Sequence, residues 1–565
     1  MRGVYTSVND IRKLVFAEVA KLSYDYKDGD LSQMEQIPYR IIPGEVSTYR
    51  ESVFLERAIV KERMRLAMGL PLREVTEHAP VSDGALECVR PEKYYQPPLI
   101  NIIKFACHKC PDNQVKVTDA CQGCLAHPCK EVCPKKAISF VNGRSVIDEE
   151  KCVKCGKCIN ACAYGAIVKM ERPCAKACGM EAIESDKYGR AEINQDKCVS
   201  CGMCLANCPF GAISDKAQIF QTIQAIKSDV PVYAAIAPAV AGQFGPKLTP
   251  EKLRSAFQAL GFTDIVEVAI GADLCTIEEA KDFVEEVPEK LPFMATSCCP
   301  AWSMMAKKLF PQYSECISMA LTPMVLTGRL IKKQHPGSKV AFIGPCAAKK
   351  LEAGRKSIRS DIDFVLTFEE VMGMFEAKEV DFDSLEEQPA MDGASGDGRG
   401  FAVSGGVANA VVNCLKEMYP DREVKVESAE GLANCKKLLT MAKAGKYNGY
   451  LLEGMACPGG CVAGAGTLQP IAKSSAAVNL RKKKSSNAHA MQSDYKELLE
   501  ELEDNDVFHV NYAETVLDRE TAVCYGLCVY KFHISLLSAS RNHFPLFWVR
   551  GEKGIRWNTW TVRPL

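Results

Sequence analysis

The sequence predicts a cysteine-rich α+β region followed by a larger α/β domain with a mainly parallel sheet. Three observations support this fold class. The chain has 565 residues, too many for one hydrophobic core. Sixteen of its 28 cysteines lie between residues 107 and 208. Beyond about residue 217, short apolar runs typical of buried strands alternate with segments of helical period, as expected for an α/β domain.

We divide the chain into four regions on these grounds. Residues 1–100 mix helix and turn and carry no recognisable motif. Residues 101–216 hold the cysteine repeats, and residues 217–490 form the α/β domain. Residues 491–565 are expected to contain a C-terminal helix and a tail without an assigned role, although the tail carries three of the four tryptophans.

Composition and charge exclude some classes of function. Hydrophobic residues make up 47% and charged residues 25%, as in ordinary globular proteins. Lys+Arg and Asp+Glu are equal at 70 each, so net charge predicts neither nucleic acid nor an anionic membrane as a partner. No apolar run is long enough to span a membrane, and the N-terminus resembles neither a signal peptide nor a twin-arginine leader. We therefore expect a cytoplasmic protein, in which cysteines serve metal binding better than disulfides.

Two segments of the cysteine-rich region repeat one pattern. CVKCGKCINACAYGAI (152–167) and CVSCGMCLANCPFGAI (198–213) both have the spacing C-x2-C-x2-C-x3-C. Three thiolates on one tight loop can hold three corners of a [4Fe–4S] cubane, while the fourth reaches another cluster. Zinc is the alternative metal, but the spacing fits cluster loops better than zinc ribbons.

Each repeat has a partner segment upstream. CQGCLAHPCKEVCPKKAI (121–138) precedes the first repeat, and PCAKACGMEAI (173–183) precedes the second. The shorter partner lacks a C-x2-C pair, which CHKC at 107–110 can supply. The region then holds enough thiols for four cubanes. His108 and His127 lie in these loops, but we expect neither to be a ligand because the sixteen thiols already suffice.

Exchange of the fourth ligand between neighbouring motifs gives four predicted ligand sets, named here sites A to D. Site A is Cys121, Cys124, Cys129 and Cys162; site B is Cys133, Cys152, Cys155 and Cys158; site C is Cys178, Cys198, Cys201 and Cys204; site D is Cys107, Cys110, Cys174 and Cys208. The arrangement resembles electron-transfer domains of the polyferredoxin type.

Three further cysteine motifs each follow a predicted strand of the α/β domain. They are LPFMATSCCPAW, KVAFIGPCAAKKLE (339–352) and YLLEGMACPGGCVAGAG (450–466). Ligands of parallel sheets bind at the carboxyl ends of the strands, where these loops lie. Four of their thiols, from Cys299, Cys346, Cys457 and Cys461, could close around one more cubane.

These loops resemble the signature loops of [FeFe] hydrogenases, T-S-C-C-P-x-W, P-C-x-x-K-x-x-E and E-x-M-x-C-x-x-G-C, in the same order. APAV (237–240), GADLCTIEE (271–279) and FAVSGGVANA (401–410) also agree with that family. The resemblance covers roughly 217–490. It implies an α/β hydrogenase catalytic domain with its iron–sulfur cluster in a cleft between two lobes, preceded by an α+β ferredoxin-like multi-cluster domain.

The resemblance also implies a cofactor, the H-cluster. In this group a [4Fe–4S] cubane is bridged by a cysteine thiolate to a diiron unit that carries CO, cyanide and an azadithiolate. By motif position, Cys461 would be the bridging ligand, Lys349 would hydrogen-bond a cyanide and Met455 would contact the diiron unit. A solvated surface lysine is the alternative for Lys349 and our expectation for Lys350, and Glu352 is expected to be structural.

Protons need a path as well as electrons. By resemblance Cys299 is a cubane ligand, whereas its neighbour Cys298 is the proton-donating thiol. An ordinary thiol is mostly protonated at neutral pH yet releases its proton readily. The implied relay continues through Glu279, Ser318 and Asp282, with the first and last on one face of a predicted helix. An ordinary exposed carboxylate is the alternative for Asp282.

The sequence departs from the common pattern at three places. Gly344 stands where a methionine usually covers the diiron unit, and the third loop reads EGM where a β-branched residue is usual. The segment MALTPM (319–324) lacks a lysine often found there. Because the ligand cysteines are kept, these changes bear on rate, direction and inhibitor sensitivity and leave cofactor assembly unaffected.

The predicted function is that of an anaerobic, oxygen-sensitive oxidoreductase that catalyses 2H⁺ + 2e⁻ = H₂. The expected electron partner is a soluble carrier such as ferredoxin or a flavoprotein subunit, since no G-x-G-x-x-G opening a βαβ unit predicts a nucleotide site. One alternative is an H₂ sensor with slow turnover, and a second is a non-catalytic iron–sulfur assembly or scaffold protein. Seven cysteines have no assigned cluster and are expected to be mostly structural: Cys88, Cys275, Cys316, Cys414, Cys435, Cys524 and Cys528.

Overall fold

The computed structural model describes residues 5–27, 29–76, 78–90, 95–355 and 358–498, together with the backbone of 547–551 and 554–558. The chain divides into two compact units, residues 1–510 and 511–565. Within the described residues, no helix is both long enough and apolar enough to cross a membrane.

The N-terminal region forms three α-helices: α1 (Ser7–Asp25), α2 (Ile37–Ile41) and α3 (Val53–Ala67). Ser52 caps α3, because its side-chain oxygen accepts a hydrogen bond from the backbone N of Leu55 at 3.2 Å. The apolar side of α1, which includes Val15 and Phe16, belongs to the same core as the strands of the α/β region. These helices therefore share one core with the α/β region and do not form a separate core.

The cysteine-rich region consists of short strands and short helices. Its strands are β1 (Ile100–Ile102), β2 (Gln114–Val117), β3 (Ile138–Val141), β4 (Arg144–Ile147), β5 (Ile167–Met170), β6 (Ile183–Ser185), β7 (Ala191–Ile193) and β8 (Ile213–Asp215). Its helices are α4 (Pro128–Glu131), α5 (Lys157–Ala161), α6 (Pro173–Lys176) and α7 (Met203–Asn207). Strand β1 pairs with β8, β2 with β5, β3 with β4 and β6 with β7, all antiparallel. Each helix carries one cysteine of a predicted ligand set.

The α/β region contains two parallel sheets. Its strands are β9 (Val232–Ile236), β10 (Asp264–Glu267), β11 (Met294–Ala295), β12 (Lys339–Gly344), β13 (Phe364–Thr367), β14 (Lys425–Glu430) and β15 (Tyr450–Met455). The strand orders are β10-β9-β12-β13 and β11-β15-β14, and every neighbouring pair is parallel. The strands of the first sheet are buried along most of their length, as is usual for parallel strands.

Eleven α-helices of this region are described. They are α8 (Ile219–Ile226), α9 (Leu253–Leu260), α10 (Ala269–Glu286), α11 (Pro300–Leu309), α12 (Pro323–Gln334), α13 (Ala348–Ala353), α14 (Phe368–Ala377), α15 (Gly396–Gly400), α16 (Gly406–Met418), α17 (Leu432–Lys443) and α18 (Ile471–Lys483). Short 3₁₀ helices occur at Ser32–Glu35, Ala85–Val89, Lys104–Ala106, Pro238–Val240, Pro311–Tyr313, Cys461–Ala463 and Ala490–Gln492.

The second unit contains an antiparallel hairpin of β16 (Phe547–Gly551) and β17 (Gly554–Asn558). The sequence did not predict this hairpin. The helix expected in the C-terminal region falls largely on residues beyond 498, outside the part of the chain that the structure describes. Cys524 and Cys528 also lie outside it.

The expectation that Lys350 is a solvated lysine is wrong. Its side chain is fully buried, with Nζ 2.7 Å from Asp215 Oδ2 and 2.5 Å from Glu370 Oε1. Arg12 of α1 lies 2.7 Å from Glu369 and 3.6 Å from Asp215. Burial alone would lower the pKa of Lys350, but Asp215 and Glu370 outweigh it and raise that pKa. This buried network joins α1, the end of β8, α13 and α14.

A close contact between Trp302 and Gly454 joins two of the cysteine loops. A Cβ atom at Gly454 would lie only 2.1 Å from the nearest Trp302 ring atom, so the strand can carry no side chain there. Trp302 is fully buried, and its Nε1 donates a hydrogen bond to the Thr296 carbonyl at 2.9 Å. The glycine of EGM, unusual for the family, is thus required by the indole ring of α11.

We predict that Lys350→Met destabilises the first unit by about 3–5 kcal/mol, because it leaves Asp215 and Glu370 buried without their cation. Denaturant unfolding of the anaerobic protein measures the change. The matched control is Lys473→Met, at an exposed lysine on α18. Equal stability of the two variants would contradict the role assigned to the network.

We predict that Gly454→Val also destabilises the protein, by about 1–3 kcal/mol, because the valine overlaps the Trp302 ring. The Trp302→Leu background should reduce this loss, since leucine vacates part of the overlapping volume. A double-mutant cycle measures the coupling. Additive effects of the two substitutions would show that the contact does not set the requirement for glycine.

Candidate functional site

The three cysteine loops meet around one cavity in the α/β region. Strands β11, β12 and β15 end at its edge, and their carboxyl ends lead into the loops. The walls of this cavity are predominantly apolar. Its lining includes six cysteines: Cys201, Cys298, Cys299, Cys346, Cys457 and Cys461. The four thiols predicted to hold the catalytic cubane therefore share one cavity.

The donor set suits an iron–sulfur group. Every cysteine that the structure describes is a free thiol, so no disulfide competes for these sulfur atoms. Burial raises the pKa of Cys346 to about 12 and that of Cys461 well above its usual value. Because nearby side chains do not favour the thiolate strongly enough to offset burial, a bound cation is what would stabilise these sulfurs as ligands.

Lys349 lies in the cavity wall and is held by two partners. Its Nζ is 2.7 Å from Glu352 Oε2 and 3.2 Å from Thr322 Oγ1. Thr322 in turn donates to Glu352 Oε1 at 2.8 Å. Burial would lower the pKa of Lys349, but Glu352 outweighs it and raises that pKa. Lys349 is thus a buried cation at the cavity and not a solvated surface lysine, and Glu352 positions it.

The thiol of Cys298 interacts electrostatically with the side chain of Glu279. Burial, followed by the Glu279 carboxylate, raises the pKa of Cys298 well above its usual value. Glu279 is fully buried on α10, and burial raises its pKa to about 7 although its hydrogen bond to Ser318 opposes the rise. Its Oε1 also accepts a bond from the Ser297 backbone at 3.4 Å. Asp282 lies one turn further along α10 and is half-buried.

Met455 and Phe342 supply apolar parts of the cavity wall. Met455 is the last residue of β15 and is buried. A Cβ atom at Gly344 would lie 2.5 Å from the ring of Phe342, which lines the cavity. The aromatic ring therefore occupies space that a side chain at residue 344 would need. This compensation was not predicted from the sequence.

The predicted ligand sets of sites B and D each line one small pocket. Site B includes the exposed thiol of Cys155, and site D brings Cys107 and Cys110 to Cys174 and Cys208 across the split motif. The four thiols of site B and the four of site D are thus brought together as the exchange of ligands requires.

Sites A and C are defined by different contacts. In site A, Cys129 Sγ lies 3.3 Å from Ser145 Oγ, and Cys121 also bonds Ser145. Cys162 packs in the same apolar cluster as Cys129, and Cys124 is half-buried on the same loop as Cys121. In site C, the thiol of Cys204 lies within electrostatic range of the other three: Cys178, Cys198 and Cys201.

Neither histidine of the cysteine loops is needed to complete a ligand set. The His108 ring stacks on Phe210, with centroids 4.2 Å apart. His127 meets Phe140 edge-on at 4.2 Å. Both rings therefore pack against aromatic side chains beside the cysteines.

Two residues of the site were missed by the sequence analysis. Cys201, predicted only as a ligand of site C, also lines the catalytic cavity and interacts electrostatically with Cys457. Glu453 accepts hydrogen bonds from the backbone of Gly405 at 2.7 Å and Ala408 at 2.8 Å. It thereby fixes the start of α16 to β15, and burial raises its pKa. The glutamate of the E-x-M motif was the available signal for this role.

Comparison with known families agrees with the geometry. The family described as "Iron only hydrogenase large subunit, C-terminal domain" matches residues 230–465. An "LdpA Fe-S cluster-binding domain" matches residues 168–219, and a "4Fe-4S binding domain" matches residues 145–167. These matches confirm iron–sulfur clusters as the metal centres of residues 145–219, for which zinc was the alternative.

Individual relatives match substantial shares of the chain. Iron hydrogenase 1 of Clostridium pasteurianum is 31% identical over 398 residues, which span 60% of this chain and 68% of that protein. The NADP-reducing hydrogenase subunit HndD of Solidesulfovibrio fructosivorans is 28% identical over 364 residues, 56% of this chain and 55% of that subunit. Cytosolic iron-sulfur assembly component 3 of Bos taurus is 29% identical over 290 residues, 41% of this chain and 60% of that protein. By its three loops, its cluster sites and these matches, the chain belongs to the iron-only, or [FeFe], hydrogenase family.

Proposed function

We propose that the chain catalyses 2H⁺ + 2e⁻ = H₂ at an H-cluster held by Cys299, Cys346, Cys457 and Cys461. The observation that carries this proposal is that these four thiols line the same cavity as Cys298, Lys349 and Met455. The bound diiron unit would supply the iron site at which protons and electrons combine. Cys461, the last cysteine of the third loop, is the proposed bridging ligand, and the cavity is the proposed cleft between two lobes built on the two parallel sheets.

Lys349 is proposed to orient the cofactor through its charge. A buried ammonium group forms strong hydrogen bonds with an anion, because little water competes for it. Glu352 and Thr322 hold this ammonium group at the wall, so its direction is fixed before an anion binds. Met455 would supply the neighbouring apolar contact.

Protons are proposed to reach the cavity through Cys298, Glu279, Ser318 and Asp282. Burial decreases along this series from Glu279, which is fully buried, to the half-buried Asp282. The hydrogen bond between Glu279 and Ser318 connects its middle members. A pKa of about 7 lets Glu279 both accept and release a proton near neutral pH.

Electrons are proposed to travel through the accessory clusters. Cys174 of site D lies within electrostatic range of Cys204 of site C, and Cys201 of site C stands beside Cys457 at the cavity. These electrostatic interactions support an order from site D to site C to the catalytic cubane. The relative HndD is named as a subunit of an NADP-reducing hydrogenase. We propose a soluble ferredoxin or flavoprotein subunit as partner here, and a cytoplasmic location.

Two of the four proposed regions then have distinct functions. Residues 101–216 conduct electrons and residues 217–490 carry out catalysis. Residues 491–565 have no assigned role.

The alternatives differ in the cofactor and its turnover. Similarity to a cytosolic iron-sulfur assembly component favours a scaffold, but that match covers 41% of the chain against 60% for iron hydrogenase 1. A scaffold has no use for Cys298 and Lys349 at the cavity wall. The altered wall around Gly344 is the observation that favours an H₂ sensor with slow turnover.

Infrared spectroscopy of anaerobically matured protein tests the function. CO and cyanide stretches together with H₂ turnover are expected, and about 22 irons per chain, for four accessory cubanes, one catalytic cubane and one diiron unit. A fully active preparation that saturates at about 14 irons would remove two accessory clusters. Absence of the infrared bands after competent maturation would establish the scaffold.

The adjacent cysteines should fail differently when replaced. Cys298→Ala leaves four ligands in place, so the CO and cyanide bands should persist while turnover falls by about 10²- to 10⁴-fold, the usual worth of a positioned proton donor. Cys299→Ala removes a ligand and should impair assembly of the cubane. Infrared spectra and H₂ evolution rates measure both. A normal cofactor in Cys299→Ala and its loss in Cys298→Ala would reverse the assignment, and near-normal turnover in Cys298→Ala would discard the relay.

A further inference from the structure

Site B lies closest to solvent among the predicted cluster sites. Of the cysteines that the structure describes, Cys155 alone is exposed. Electron tunnelling weakens steeply with distance, so a protein that delivers electrons gains most by approaching this thiol. The surface around Cys155 is therefore a candidate docking surface for an electron-carrier protein.

Unpaired lysines surround Cys155. Lys135 and Lys154 line the same pocket as the thiols of site B, and Lys157 begins α5 two residues after Cys155. All three are exposed, and none forms an ion pair with any residue in the described ranges. Exposed Lys130 and Lys136 add positive charge. The acidic residues near this loop are Glu131, Asp148, Glu149 and Glu150, and Asp148 is already paired with Lys151.

An apolar side chain lies between these charges. Val153, between Cys152 and Lys154, is 55% exposed and lines the pocket of site B. An exposed apolar residue ringed by like charges is a common arrangement of transient protein interfaces, in which charge steers the encounter and apolar contact completes it.

We propose that the surface of Lys135, Val153, Lys154 and Lys157 around Cys155, named here the donor surface, docks an acidic electron-carrier protein of low potential. The proposal rests on the proposed function, because site B must hold a cluster for the surface to conduct electrons. Acidic carriers fit because their carboxylates match the unpaired lysines, whereas a basic carrier would be repelled.

Charge reversal tests the donor surface. The variant is Lys135→Glu with Lys154→Glu, and the matched control is Lys473→Glu with Lys483→Glu, two exposed lysines of α18. The probe is a purified acidic [4Fe–4S] ferredoxin, and methyl viologen is the reference donor. We expect the ratio of the ferredoxin-linked rate to the viologen-linked rate to fall at least tenfold in the variant only, with a weaker dependence on ionic strength.

Two outcomes would overturn the donor surface: an unchanged ratio, or an equal fall in variant and control. If the unmodified protein showed no viologen-linked H₂ evolution, that result would instead contradict the proposed function. The two failures are therefore distinguishable.

Residues 1–100 carry no sequence motif that predicts a role, but their structure places them at a cluster site. Helix α3 lies directly against site D, because Ile59 and Leu66 pack in one apolar cluster with Cys174 and Cys208. The N-terminal region therefore forms part of the immediate surroundings of this cluster site.

Arg63 on the same helix brings a buried positive charge to site D. The side chain is 4% exposed, and its Nη2 donates to the carbonyl of Gly211. Gly211 N bonds the Cys208 carbonyl at 3.1 Å, and Cys208 is among the groups that interact electrostatically with Arg63. Its Nε and Nη1 have no hydrogen-bond partner among the described residues. Burial lowers the pKa of Arg63 to about 10, so the group stays charged near neutral pH.

Reduction of a [4Fe–4S] cluster adds one negative charge. A fixed cation in a medium of low dielectric constant stabilises the reduced form more than the oxidised form, and the reduction potential rises. Glu369 also interacts electrostatically with Arg63. It offsets the Arg63 charge only in part, because its Oε2 atom lies 2.7 Å from Nη2 of Arg12 and is paired with that side chain.

We infer that the buried positive charge of Arg63 raises the reduction potential of the cluster at site D. This inference rests on the proposed cluster at site D. It gives the N-terminal helices a function beyond packing: they set the electrical environment of one step of the electron path.

Arg65 provides a matched control on the same helix. It is also 4% exposed, but its guanidinium bonds the carbonyls of Pro71, Val81 and Asp83, away from the cysteines. Redox titration monitored by electron paramagnetic resonance should show a lower midpoint potential for one accessory cluster in Arg63→Met. The potentials should be unchanged in Arg65→Met, and Arg63→Lys should restore most of the shift because it keeps the charge.

Unchanged cluster potentials in Arg63→Met with full iron content would overturn the inference, as would the same shift in Arg65→Met. If Arg63→Met does not assemble, Arg63→Gln supplies the uncharged comparison and is judged by the same two criteria. Absence of any accessory-cluster signal in the unmodified protein would contradict the proposed function and not the role of Arg63.

Discussion

The buried ion pairs of Lys350 are the interaction on which the rest of the arrangement depends. One ammonium group holds Asp215, at the end of the cluster-bearing region, and Glu370, at the start of α14. Its neighbour in sequence, Lys349, faces the catalytic cavity. Successive residues of a helix point in different directions, so fixing Lys350 on one side of α13 fixes Lys349 on the other. The same contacts therefore join the cluster region to the catalytic region and orient the Lys349 ammonium group toward the cavity.

The junction between these regions also explains how electrons could reach the cavity without a further carrier. Cys201 belongs to a predicted accessory site, yet it lines the catalytic cavity beside Cys457. This closeness requires that the loop of site C pack against the second and third signature loops. Tight packing at this junction and the ion pairs of Lys350 are thus two parts of one interface, of which the first bears on electron flow and the second on stability.

Sequence patterns predicted what depends on short-range spacing and missed what depends on distant partners. The cysteine motifs, the parallel α/β architecture and the family followed from motif spacing and from the alternation of predicted strands with predicted helices. The burial of Lys350 did not, because its partner Asp215 lies 135 residues away in the sequence and Arg12, which contacts Asp215, lies still further away. The contact of Gly454 with Trp302 escaped for the same reason. The presence of a glycine or a lysine in a sequence does not show which distant side chains it contacts in the fold.

Gly344 illustrates how a departure from a family pattern acquires a physical meaning. The sequence alone suggests that the cavity loses its methionine cover. In the structure, the Phe342 ring lies where a side chain at 344 would begin, and it lines the cavity. Methionine is flexible and polarizable, whereas a phenylalanine ring has few rotamers and a rigid face. The Phe342 ring therefore keeps this part of the wall apolar and makes it stiffer than a methionine side chain would.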